Sequence, residues 1–381
     1  MKRLLLMVLL FALLLTSSCS EETNQEDIDI EKTEENEELE EPAESESDVV
    51  VEEPEEIIDP KEEALKEIEV LKKEGYIQSN INGKYIEKDD FNLRPVSIMY
   101  DNHPYARWQA GLIKADIIYE CEVEFPFTRY MAVFHYSNPE HIGPVRSARP
   151  YYLRYALEYD SVYVHVGGSN DAKSKIEDYY IANIDGLYSG NFWRYNDTGK
   201  RIPNNMYTDM DNMREAQSSY GYRTTGEYKG YDFNDISKSI TEELEPEACS
   251  NLNIIFNQHY EIEFLYDEES QNYLRYVNGE KHIDEFYQEE IRADNIIVIL
   301  TKKHVLDDVG RLAIDTVGQG DGVYLTQGEK VNITWKKDTY NAKTYFYYND
   351  GQELVFNPGQ TWIEITTQDT NINYNEEWLN V

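Results

Sequence analysis

Forty residues near the N-terminus of this 381-residue chain are unfit to join a folded core. Between Ser20 and Asp59 stand 20 acidic residues against one base, Lys32, with no aromatic residue. Self-repulsion and the lack of apolar surface predict an extended, mobile acidic tether over residues 19–59. The other reading is an acidic tail that binds cations or basic partners. About half of the formal charge of −39 falls in this run, so the rest of the chain is only mildly acidic. Such a protein repels phosphate backbones, which argues against nucleic acid as a partner. Beyond the tether, 40% apolar and 13% aromatic residues supply enough material for a core. The length suits roughly two domains.

The residues before the tether explain it. Met1-Lys2-Arg3 is a short positive start, and Leu4 to Leu15 is apolar but too short to span a bilayer. Leu15-Thr16-Ser17-Ser18-Cys19 follows, and small residues before a cysteine at such a point look like a bacterial lipoprotein signal. Residues 1–18 would be removed and the Cys19 thiol acylated. Thr16 departs from the commoner Leu at its position. The alternative is an ordinary secretory signal with an incidental Cys19. Two acyl chains anchor a protein far better than one, so the expected location is the extracytoplasmic face of a bacterial cell membrane. Cys121 and Cys249 remain, far apart and without metal-ligand spacing. Two separate buried thiols are expected, with a disulfide as the alternative.

Asp59-Pro60 opens a helix signal that Gly75 closes. From there to residue 240 the pattern reads as α/β, a mixed sheet with helices. Strands are expected at Val96–Tyr100, Ala115–Phe125, Tyr130–His135 and Ser161–Val166, with helices starting near Pro150 and after Ser169-Asn170. Residues 250–370 read as a mostly β domain of short alternating runs. Asn278-Gly279, Gly320-Asp321-Gly322 and Asp350-Gly351 look like hairpin turns between them. The boundary falls at about 235–252, and no internal repeat is present.

Four groups of residues can carry chemistry. Arg146 and Arg149, three apart at the mouth of a helix, can grip a carboxylate or phosphate, or can pair with acids such as Glu120 and Glu124. Gly167, Gly168 and Ser169 form a strand-to-helix turn whose amides can hold an anion or can simply make the turn. Glu120, Glu122 and Glu124 share one strand face and need cations, either Arg129, Arg146 and Arg149 or a hard metal ion. Asp101 and His103 follow a strand end, where open α/β sheets place ligands, and with Glu122 are candidates for acid–base work. No nucleophile elbow or metalloprotease motif is present, and His135, His141 and His282 have no evident partners. The 32 tyrosines suit sugar or protein surfaces, or reflect base composition.

RPVSIMYDNHPYARWQAGL, ADIIYECEVEFPFTRYMAVF, GPVRSARPYY and EYDSVYVHVGGS, in that order, resemble the YerB-like lipoprotein family. The resemblance covers about residues 90–370, more loosely after Asn295, and implies two domains and an envelope-anchored protein of a Gram-positive bacterium. Family members often have His where this chain has Asn204, in Pro203-Asn204-Asn205-Met206-Tyr207-Thr208. The family brings no catalytic mechanism with it.

These readings combine into a membrane-anchored binding or regulatory lipoprotein, without cofactor or metal. Its α/β half would hold an anionic ligand or an envelope partner, through Asp101, His103, Arg146, Arg149, Gly167, Gly168 and Ser169. A hydrolase or transferase of cell-wall polymers and an adaptor for a membrane protein are the alternatives.

Overall fold

The computed structural model of the protein describes residues 59–308 and 310–375. The signal segment, Cys19 and the acidic run up to residue 58 lie outside the described residues. Helix α1 (Pro60–Glu74) begins where the Asp59 carboxylate accepts the Lys61 N–H at 3.0 Å, and it ends at Gly75, whose φ of 94° any other residue would resist.

The N-terminal half is mixed α/β, and the C-terminal half is mostly β. Strands β1 (Val96–Asp101), β2 (Ile117–Glu122), β3 (Thr128–Phe134), β4 (Val162–His165) and β5 (Asn183–Asp185) belong to the first half, with helices α2 (Pro150–Glu158), α3 (Asn170–Asp178) and α4 (Met210–Ser219). The second half supplies β6 (Asn251–Asn257), β7 (Tyr260–Asp267), β8 (Asn272–Val277), β9 (Asn295–Thr301), β10 (Gly318–Thr326), β11 (Glu329–Lys337), β12 (Thr361–Thr367) and β13 (Asn371–Tyr374).

The halves are not separate in their main sheet. Nine strands of one eleven-stranded sheet run in the order β11-β10-β9-β12-β2-β3-β1-β4-β5, and the short strands Glu247–Ala248 and Tyr345–Tyr348 both pair with β11. At its centre β12, from the end of the chain, pairs in parallel with β2, setting Glu364 beside Glu120. The apolar run Ile296–Leu300 of β9 fits this place, and β2 is buried along its whole length, because strands covered on both faces bury most side chains. On one face lie α2 and α3, packed through Tyr152, Leu153 and Ile176. On the other lie α4 and a six-stranded sheet that includes β6, β7, β8 and β13. β6 alternates buried and half-buried residues, as a strand with one core face should.

Two expectations fail locally. Gly320-Asp321-Gly322 is not a hairpin turn but the middle of β10. The glycines are there for close approach: a Cβ on Gly322 would stand 2.7 Å from the Val298 carbonyl, and one on Gly320 would stand 2.7 Å from the Trp335 indole nitrogen. Helix α4 is not announced by the sequence, since its buried stripe is only Met210, Met213, Ala216 and Gln217. Cys121 and Cys249 are buried free thiols.

Ahead of β2, the buried Asp116 accepts from the His135 N–H at 2.7 Å and from the Asn82 amide at 2.5 Å. Burial outweighs these bonds and pushes its pKa up to about 6. The native state therefore holds a proton that the unfolded chain has released by pH 5, so this group costs stability as pH rises from about 4 to about 6. Denaturant unfolding of Asp116→Asn and wild type across that window is expected to show the variant gaining on wild type with pH. A constant difference would place the titration elsewhere.

Candidate functional site at the carboxyl edge of the sheet

Seven strands of the large sheet run the same way: β11, antiparallel to β10 as β10 is to β9, joins six others. β9, β12 and β2 are mutually parallel, β3 is antiparallel to β2 and β1, and β1, β4 and β5 are parallel. The segments that follow them therefore leave at one edge. Open α/β sheets bind ligands at this carboxyl edge, where strand order reverses. Here the reversal lies around β1, since β2 falls to one side of it and β4 to the other.

Strand alternation sorts the predicted residues by face. Asp101, Arg129 and Cys121 are cross-strand neighbours, and so are Tyr100, Tyr130 and Glu120 on the opposite face. Asp101 and Glu122 thus leave the sheet on different faces, and the structure does not bring Glu122 to His103 or Asp101.

The row of three glutamates passes from interior to rim, and each takes a different cation. Glu120 and Arg275 are both 0% exposed and form an ion pair. Glu120 also accepts from Thr128, and from the Tyr260 hydroxyl at 2.6 Å. Burial and the adjacent Glu120 push Glu364 well above the usual carboxylate range, against the pull of Arg275. A second charge on Glu364 is thus disfavoured beside Glu120, whose own partner is Arg275. Arg275 donates to His282 Nδ1 at 2.8 Å, which fixes the tautomer whose Nε2–H meets Gln109 at 3.0 Å. Glu122 pairs with Lys303 at 2.7 Å and accepts from Thr367 at 3.0 Å. Glu124, at the rim, is gripped by Arg149 at 2.6 Å, with Arg129 at 3.7 Å. Despite its partial burial, these arginines hold the Glu124 pKa down. Burial, then Arg149, brings Arg129 down to about 10. Arg275 and Lys303 were not foreseen, because they come from the far half of the chain.

Arg146 stands apart from this matched set. It pairs with Asp101 at 3.2 Å, and its side chain is 27% exposed. Asp101 is already well served: it accepts from the Asn204 amide at 2.7 Å and the His103 N–H at 3.1 Å. An amide donates without being able to pass on a proton. His103 Nδ1 accepts the Tyr105 N–H at 3.1 Å, and its ring lies 4.6 Å from Phe127. Burial lowers the His103 pKa against the pull of Asp101, with Arg146 and Arg107 adding to the fall. Burial and then Arg146 lower the pKa of Arg194.

The glycine turn is spent on its own fold. The Gly167 N–H donates to Asp185 at 2.8 Å, and the Ser169 hydroxyl caps α3 by accepting from Ala172 at 3.2 Å. Gly167 needs its φ of +66°, and a Cβ there would also press on Leu187 at 3.2 Å. His165 bonds the Gly167 carbonyl, His135 meets Tyr228, and His141 stacks on Phe286. No cluster among the described residues has the acid, thiol or imidazole set for a metal ion.

Fold and edge define a two-part α/β and β protein with an arginine-rich carboxyl rim. The chain belongs to the family described as "Protein of unknown function (DUF3048)": its N-terminal domain matches residues 82–223 and its C-terminal domain residues 252–363. "Putative lipoprotein YerB" of Bacillus subtilis (strain 168) is 32% identical over 292 residues, 76% of this chain and 86% of that protein. The crystal structure of the YerB protein from Bacillus subtilis superposes with a TM-score of 0.70 at 30% identity, over 78% of this chain and 99% of that one.

Proposed function

We propose that this protein is an envelope lipoprotein, held at the membrane through Cys19, that binds an anionic ligand at the carboxyl edge of its sheet. The supporting observation is a surplus of positive charge where the chain can least be expected to leave one. The sequence holds 74 acidic residues, yet Arg107 and Arg194 have no carboxylate partner among the described residues. Both are held by neutral groups instead, Arg107 by the Asn102 side chain at 2.9 Å and Arg194 by that of Asn205 at 3.1 Å. Together with Arg146, which faces Asp101 at 3.2 Å, they supply guanidinium donors that suit carboxylate and phosphate. The relative's description as a lipoprotein supports the anchor.

Two measurements test this. Inorganic phosphate should raise the melting temperature of the full-length, detergent-purified protein, and Arg146→Gln with Arg194→Gln should remove most of that rise. No rise in wild type, or an equal rise in the variant, contradicts the reading. In cells, Cys19→Ala should move the protein from the membrane to the soluble fraction, and full retention would contradict the anchor.

A further inference from the structure

We infer that the anionic group recognised at this edge is carried on a sugar ring, which sits in the cleft between the segment after β1 and the 198–204 segment. This rests on the anion-binding reading and adds the ligand's class to it. The cleft holds about 500 Å³ and is lined in part by Tyr105, Arg107, Lys200, Arg201, Ile202 and Asn204. A bare phosphate or acetate would leave most of it filled with water.

The lining divides by task. Lys200 is a strut, because its ammonium is taken up by the Trp108 carbonyl at 2.6 Å, the Tyr207 hydroxyl at 2.9 Å and Glu285 at 2.5 Å. It fixes one wall and offers little to a ligand. Arg107 is fixed without being neutralised, with Asn102 on its donors and its guanidinium 4.8 Å from the centre of the Tyr260 ring. Arg201 forms no ion pair among the described residues, so it joins Arg107, the member of the proposed anion site that lines this cleft, in offering a guanidinium to an acid group.

The other walls are of a different character. Tyr105 is 77% exposed and Ile202 71% exposed, on opposite segments of the cleft. The Tyr105 backbone N–H donates to His103 Nδ1, and its ring centre lies 5.1 Å from the imidazole. An exposed aromatic side chain beside an aliphatic one accepts a ring with apolar C–H faces, while guanidiniums take its acid. A purely ionic site would have no use for these walls. A lipid surface would call for a projecting apolar face rather than a recess.

Calorimetric titration of the full-length protein in detergent tests this. The probes are inorganic phosphate, acetate, N-acetylglucosamine 6-phosphate, glucuronate and neutral N-acetylglucosamine. The ring-bearing anion is expected to bind about tenfold more tightly than the ring-free anion with the same acid group. The phosphate and carboxylate arms show which acid the site prefers. Tyr105→Ala should erase that advantage while leaving phosphate and acetate unchanged, and Arg201→Gln should weaken every anion. Both residues are exposed, so the variants should fold. Equal affinity with and without the ring, or an advantage that survives Tyr105→Ala, overturns the sugar inference and leaves anion binding standing. Neutral N-acetylglucosamine bound as tightly as its phosphate, or no anion bound at all, overturns both.

Discussion

Replacing Arg275 by leucine is expected to cost about 3–5 kcal/mol of folding stability. The side chain is wholly enclosed, 4.3 Å from the Trp362 ring centre on the face between the two sheets. Removing it strands Glu120 in the interior beside Glu364, with only hydroxyl and amide donors left. A buried carboxylate without its cation must either stay charged at great cost or take up a proton. The check is denaturant unfolding at pH 7, where the midpoint should fall with little change in slope. Adding Glu120→Gln to Arg275→Leu should restore a substantial part of the loss, because the stranded charge is then gone. A loss below about 1 kcal/mol would mean that the interior pair is open to water, as surface pairs are.

Lys337→Met is expected to cost a similar amount, about 3–5 kcal/mol. Lys337 and Glu158 are 0% and 1% exposed and pair at 2.7 Å, joining the end of α2 to β11. Glu158 also accepts the Thr344 N–H at 3.0 Å and its hydroxyl at 2.6 Å. Those two bonds are made for a carboxylate, so the methionine variant leaves a charge the site was built to receive but can no longer balance. Burial lowers the Lys337 pKa, against the pull of Glu158. The double replacement Lys337→Met with Glu158→Gln should be milder than the single one, and unfolding of the three variants gives the coupling directly. Additive losses would show that the two residues act independently.

Much of the architecture was legible, because periodicity reports burial. Largely apolar runs marked β1 and β9, Ile117-Ile118-Tyr119 opened β2, alternation marked β6, and Asp59-Pro60 with Gly75 marked both ends of α1. The pairing of β12 with β2 was not legible, since nothing local in Thr361–Thr367 says that its neighbour lies more than 200 residues earlier. That pairing decides the fate of the glutamate row. Reading β2 alone gave three acids in search of nearby arginines, and only Glu124 finds them there. A signal for the others existed. In β8, Arg275 occupies the inward phase between Tyr273 and Val277, which flags a buried charge. In β12, Glu364 likewise shares its phase with Trp362.

The candidate site was legible in part. Arg146, Asp101 and His103 do meet, since the chain after β3 returns along β1, where the Arg146 N–H bonds the Met99 carbonyl at 2.8 Å. The glycine turn offered the same sequence whether its amides faced a ligand or Asp185, and only the fold shows that Gly167 donates to Asp185. Arg107 and Arg194 drew no notice because an isolated arginine has no pattern. Their weight comes from having no acid beside them.

The most direct test of anion binding at the carboxyl edge is an NMR titration of the arginine side-chain Nε–Hε signals with inorganic phosphate. The Arg146 and Arg194 signals should shift together and saturate, while that of Arg292, neutralised by both Asp267 and Glu290 at 2.9 Å, stays in place. Shifts spread evenly over exposed arginines, or none at Arg146 and Arg194, would contradict the account.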